Sequence, residues 1–151
     1  MLSTPLETSK MARPESAPTI SILIVEKHTA VRRALRKRLA ATPDLDVLAA
    51  VQEPAAAIPY LKNGNGAPDV VLLGMHSGSD EELFATLAIV QQMARGATAI
   101  IVLVPYADEV ERLLLQQAGA SSYLLKYIDS YRLIQEIKAV AHQGHGAALP
   151  G

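Results

Sequence analysis

Five times along the chain a short apolar run is followed by a stretch whose apolar residues recur with helical period. Runs without polar alternation suit strands covered on both faces, and a three-to-four-residue period suits a helix laying one side on them. The first run, Ile20 to Val25, precedes Val31, Ala34, Leu35, Arg38 and Leu39 on one helical face, which leaves Arg32, Arg33, Arg36 and Lys37 outward. The second, Val47 to Val51, precedes a segment in which Pro54 suits a first helical turn. Pro59 removes a hydrogen bond there and crowds the preceding turn, so this helix should be short or irregular. The third, Val70 to Leu73, has no polar interruption and is expected at the sheet centre. Ser79-Asp80-Glu81-Glu82 then matches a capping box, with Leu83, Leu87, Val90 and Met93 as the apolar stripe. The fourth, Ala99 to Val104, leads to a cap signal at Asp108, a helix with Val110, Leu113 and Leu114 expected inward, and a stop at Gly119. The fifth, Ser122 to Leu125, leads through Asp129 or Ser130 into a helix with Leu133, Ile137 and Val140 inward and Gly144 as its expected end.

Strands alternating with helices at this spacing predict an α/β fold, a doubly wound parallel sheet with helices on both faces. A chain of 151 residues, half of them apolar, is enough for one such core and too short for two ordinary domains. The domain is expected over 19–144. Residues 1–18 are polar and rich in Ser, Thr, Pro and Glu, a composition expected to be disordered, and 145–151 resemble the start of an interdomain linker or a tail.

In open α/β sheets the working crevice lies beyond the carboxyl ends of the strands. The residues there are Glu26, Lys27 and His28, then Gly74, Met75 and His76, then Val104, Pro105 and Tyr106, and finally Lys126 and Tyr127. Glu26-Lys27-His28-Thr29 is not the glycine-rich turn that cradles a phosphate. No cysteine is present and no serine stands in a Gly-x-Ser-x-Gly elbow, which argues against acyl transfer. Absence of cysteine also removes disulfides and Cys-ligated zinc and suits a reducing cytoplasm. The four histidines lack metal-ligand spacing, and a magnesium site prefers several oxygens where the first loop offers Glu26 with a lysine beside it. No apolar run reaches the roughly 20 residues that span a bilayer. Fourteen basic residues against fifteen acidic ones give no global field toward nucleic acid. Arg32 to Arg38, without interleaved aromatics, reads as a solvated helix face.

Four segments together carry a resemblance: Ile22-Leu23-Ile24-Val25-Glu26-Lys27-His28, Pro68-Asp69-Val70-Val71-Leu72-Leu73-Gly74, Ile101-Val102-Leu103-Val104, and Gly119-Ala120-Ser121-Ser122-Tyr123-Leu124-Leu125-Lys126. In order and spacing they resemble the CheY-like receiver domain of a bacterial response regulator, most closely receivers that precede a LuxR-type helix-turn-helix. The resemblance covers roughly Thr19 to Gly144 and implies the strand order 2-1-3-4-5. In that family an acidic pair after the first strand and an aspartate after the third hold magnesium, and the latter aspartate is phosphorylated. A Thr or Ser after the fourth strand senses the phosphoryl group and a lysine after the fifth contacts it. Carried over by position, Glu26 keeps the first acid, Lys27 replaces the second, Gly74 stands at the acceptor, Val104 at the sensor, and Lys126 is kept. Tyr123 matches the aromatic whose rotamer reports the switch.

These departures predict a degenerate phosphorylation pocket made of Glu26, Lys27, Gly74, Val104 and Lys126, with no metal, no cofactor and no catalysis. Lys27 is expected to fill part of the metal position, and Glu26 to be neutralised by Lys27 and Lys126. His28 and His76 are expected to be ordinary loop residues. The function expected is a phosphorylation-independent protein-interaction module, a cytoplasmic homodimer through its fourth and fifth helices. It would control transcription through an attached or associated DNA-binding domain without itself touching nucleic acid or membrane. The alternative is a small-molecule or anion sensor using the crevice beside Lys27 and Lys126.

Overall fold

A computed structural model describes residues 19–62 and 66–146. The strands are β1 (Ile20–Val25), β2 (Leu45–Val51), β3 (Val70–Gly74), β4 (Ala99–Val104) and β5 (Ser122–Leu125). The helices between and after them are α1 (Thr29–Ala40), α2 (Pro54–Lys62), α3 (Asp80–Met93), α4 (Glu109–Ala118) and α5 (Ser130–Gly146). All strand pairings are parallel, in the order β2-β1-β3-β4-β5, so β3 is central as its unbroken apolar run predicts.

Successive residues of the inner strands alternate between two cores. Leu23, Val25, Val71, Leu73, Ile100, Val102 and Val104 pack with Val90, Met93 and Leu115 of α3 and α4. Ile22, Ile24, Val70, Leu72, Ile101 and Leu103 pack on the other face with Leu39 of α1 and with Leu133, Ile137 and Val140 of α5. This two-sided burial is why the strands read as continuous apolar runs. Helix α2 is short, with Pro59 inside it. Ser79 caps α3 and Asp108 caps α4, each side chain accepting from the amide three residues on. The same test decides for Asp129 as the cap of α5, since its carboxylate accepts from the Arg132 amide at 2.9 Å. Gly119 ends α4 at φ 124°, where an L side chain is strained.

Three helical expectations are corrected. On α1 only Leu39 is fully buried, while Val31, Ala34 and Arg38 are exposed. Arg32, expected outward, instead donates from Nη1 to the Glu26 carbonyl at 2.9 Å and the Lys27 carbonyl at 3.3 Å. Carbonyls at the end of a strand need a donor, and a guanidinium reaching back from the first turn supplies one. On α4 the inward residues are Glu111 and Leu115, whereas Val110 and Leu113 are exposed. Leu115 is fully buried, and Glu111 beside it has a polar partner, as described below. Helix α5 continues through Gly144 to Gly146. Glycine disfavours a helix interior but does not forbid it. The disordered lead-in expected for 1–18 and most of the tail, 147–151, lie outside the described residues.

Candidate functional site

Glu26 ends β1 and is 1 % exposed, so its carboxylate needs partners. The ammonium of Lys126, just after β5, sits 3.0 Å from Oε1 and hydrogen-bonds Oε2 at 3.3 Å. The His28 amide donates to Oε2 at 2.9 Å, and His76 Nε2 lies 3.5 Å from that same oxygen. Oε1, though within ion-pair distance of the ammonium, has no hydrogen-bond partner. Lys126 Nζ also lies 3.0 Å from His76 Nδ1. An ammonium can only donate, so Nδ1 is the acceptor and the ring proton belongs on Nε2, toward Glu26. Burial lowers the His76 pKa, the Lys126 charge lowers it further, and the pull of Glu26 and Glu82 in the other direction does not compensate. His28 stands edge-on to this ring, with centroids 5.0 Å apart.

Gly74 closes the group from β3. A Cβ built there would lie 2.4 Å from Glu26 Oε1, 3.3 Å from its Cδ and 3.4 Å from Lys126 Cε. The backbone of Gly74 is not in the left-handed region; what stands against a side chain here is the end of the Glu26 side chain, which would have to shift to admit one. The Glu26 carboxylate thus lies directly against Gly74, with the stem of Lys126 in contact distance beside it.

Residues 22–138 match the family described as the response regulator receiver domain. The chain belongs to that family. It is 30% identical over 125 residues to the transcriptional regulatory protein DegU of Brevibacillus brevis, covering 83% of this chain and 51% of that protein. It is 31% identical over 129 residues to the nitrate/nitrite response regulator protein NarP of Escherichia coli K12, covering 85% and 57%. The chain thus spans little more than half the length of these curated relatives. Among solved structures, a response regulator from Thermotoga maritima superposes with a TM-score of 0.70 at 20% identity, covering 82% of this chain and 98% of that one. A LuxR-family two-component response regulator from Aurantimonas sp. SI85-9A1 gives 0.68 at 24%, covering 82% and 86%. At these identities the structural likeness shows the fold alone.

Within this receiver domain the structure brings Glu26, Gly74 and Lys126 together and adds His76, which sequence reasoning treated as a solvated loop residue. That reading is corrected: the ring is largely buried in contact with an ion pair. Lys27 is exposed and, among the described residues, Glu26 is paired with the Lys126 ammonium, while the His76 ring lies 3.5 Å from its Oε2. Lys27 lines a cleft of about 450 Å³ together with Gly74, His76, Glu53, Glu81 and Glu82. Val104 is buried in the core on the α3 and α4 side. A divalent cation does not fit these residues: it needs several oxygens at one position, and Glu26, the carboxylate available, is already paired with an ammonium.

Tyr123 stands apart, tied to the start of α4. Its hydroxyl donates to Glu111 Oε1 at 2.5 Å and accepts from the Asp108 amide at 3.0 Å. Burial first, and the bond to Glu111 second, push its pKa up to about 12. Glu111 left no trace in the sequence, where a charge among leucines reads as outward. Glu82 was legible as part of a capping box, but its side chain does something else: it accepts from the amides of His76, Ser77 and Gly78.

No helix of the described residues is long and apolar enough to cross a membrane.

Proposed function

We propose that this receiver domain signals without phosphoryl transfer, as a cytoplasmic protein-interaction and dimerisation module whose output is the control of transcription through an attached or associated DNA-binding domain. The observation that carries this reading is the Glu26 carboxylate set directly against Gly74. The acceptor position has no side chain, and its place is taken by a buried carboxylate held by Lys126. Lys27 and Val104, at the positions of the second metal-binding acid and the phosphoryl sensor, supply neither an anionic ligand nor a hydroxyl. With the acceptor, a metal ligand and the sensor all replaced, one substitution does not restore the chemistry. Incubation with acetyl phosphate and magnesium should therefore give no phosphoadduct by intact mass or Phos-tag electrophoresis, either on the chain or on Gly74→Asp. A stoichiometric adduct on the unmodified chain overturns the proposal.

For the partner surface, the support lies along α4 and the loops beside it. Tyr106 (81% exposed), Val110 (64%) and Leu113 (45%) are apolar side chains in water, interspersed with the Glu109–Arg112 ion pair. A surface that mixes apolar side chains with both charges can complement itself about a two-fold axis, and the proposed occupant is a second copy of this chain. The alternative of an anion held between Lys27 and Lys126 has weaker support, because Lys126 is committed to Glu26 and His76. Thermal shifts with small anions separate it from the interaction module.

A further inference from the structure

The loop between β3 and α3 holds an anion of the protein's own. Three successive backbone amides converge on one carboxylate: His76 N–H donates to Glu82 Oε2 at 2.8 Å, and the amides of Ser77 and Gly78 donate to Oε1 at 2.8 and 2.9 Å. The Ser77 hydroxyl adds a contact to Oε1 at 3.2 Å. Convergent successive amides of this kind form an anion-binding concavity. Its geometry depends on Gly78, which sits at φ 68° with nothing within 4 Å of a would-be Cβ, so backbone conformation and not space calls for glycine there.

Ordinary helix capping does not account for the arrangement. In a capping box Glu82 would reach back to the amide of the cap residue, Ser79. That amide instead donates to Ser77 Oγ at 3.2 Å, and the carboxylate reaches past it to the three residues before the cap. Partial burial pushes the Glu82 pKa up, but the hydrogen bonds from Gly78, His76 and Ser77 together outweigh it and leave the group below its ordinary value. An ionised carboxylate at the first turn of a helix is favoured by the helix dipole as well.

We infer that the β3–α3 loop is an oxyanion-binding nest whose resident ligand is the Glu82 carboxylate, and that this internal anion sets His76 against the Glu26–Lys126 pair. The amide of His76 is held by Glu82 while its ring meets Lys126 and Glu26. One residue therefore joins α3 to the ends of β1 and β5. Being tethered, the carboxylate has a high effective concentration at the nest, and free anions do not displace it. Glu82 acts as a positioning residue. The inference rests on the reading that the crevice works without phosphoryl transfer, since it supplies the anion that a phosphoryl group would otherwise bring to these loops.

The test compares the full chain with Glu82→Ala and Glu82→Gln. Hydrogen exchange at the amides of residues 76–78 should speed up by about ten-fold or more in Glu82→Ala, and the nuclear Overhauser contact between the His76 ring and the Lys126 side chain should weaken. Sodium acetate or inorganic phosphate, with chloride controlling for ionic strength, should restore slow exchange and the contact in the alanine variant. Neither anion should affect the unmodified chain. Glu82→Gln keeps the shape and loses the charge, so it should give faster exchange with less response to anions than the alanine variant, whose nest is empty. Unchanged exchange in both variants, loss that no anion repairs, or an equal anion response in the unmodified chain each overturns the inference. If Glu82→Ala does not fold, the exchange rates of Glu82→Gln decide alone. A phosphoadduct on the unmodified chain would sink the phosphorylation-independent reading while leaving these comparisons of Glu82 intact, so the two fail separately.

Discussion

Glu26 places a carboxylate in the interior, and its stability depends on Lys126. Removing one member of a buried pair leaves the other charge unpaired, so Lys126→Met should cost about 3 kcal/mol in urea unfolding. Adding Glu26→Gln to that variant should recover part of the loss; no recovery would mean that the charge pair is not the source. His76 gives the same cluster a dependence on acid. Its pKa in the folded state lies below the ordinary 6.5, so in the window beneath 6.5 the unfolded chain binds the extra proton first. Stability should therefore fall as pH drops from 6.5 toward the folded value, and His76→Gln should flatten that part of the curve in denaturation measured across pH. The resemblance puts Gly74 at the position of the family's phosphate acceptor. In the structure it faces the Glu26 carboxylate, and Gly74→Asp should destabilise the fold by about 1 kcal/mol, because Glu26 must shift and a second carboxylate then stands beside it.

Among the elements, α4 departs furthest from its apolar pattern. Counting leucines and valines selects Val110, Leu113 and Leu114, yet the face turned inward is that of Glu111 and Leu115. Leu115 packs into the core from that face, the hydroxyl of Tyr123 on the neighbouring strand gives Glu111 a partner there, and the Asp108 amide at the helix cap donates to the same hydroxyl. Because the phenol ionises only near pH 12 when folded, against 10 ordinarily, this element contributes stability that is present below pH 10 and is lost between 10 and 12. Ultraviolet titration should show one tyrosine ionising late, and Tyr123→Phe should remove that step. The same variant should destabilise the fold by about 1 to 3 kcal/mol, since it leaves Glu111 buried without its donor. Helix α1 shows the related effect in milder form. Its basic residues read as one outward set, but Arg32 was drawn inward by two carbonyls at the end of β1, a demand that periodicity does not register.

For the whole molecule, the apolar residues left in water along α4 lie beside β5, the edge of the sheet, where a partner can approach without disturbing the crevice. Replacing Val110 and Leu113 together by glutamate should give a folded monomer at concentrations where the unmodified chain self-associates, as read by sedimentation velocity. If the unmodified chain stays monomeric at every concentration, the dimer proposal fails. The sequence by itself determined the five strands, the five helices and most of the buried apolar residues, because burial on one or two faces leaves a period that needs no knowledge of neighbours. With the resemblance it also determined the family, and it marked Lys27, Gly74 and Val104 as positions that depart from the family's pattern. Only the tertiary structure decided which charges meet. Glu26 with Lys126 are 100 residues apart in the chain, His76 joins them from a third loop, and Tyr123 reaches Glu111 across a strand–helix boundary. Polar pairing depends on direction and distance between particular atoms, and neither leaves a period in the sequence.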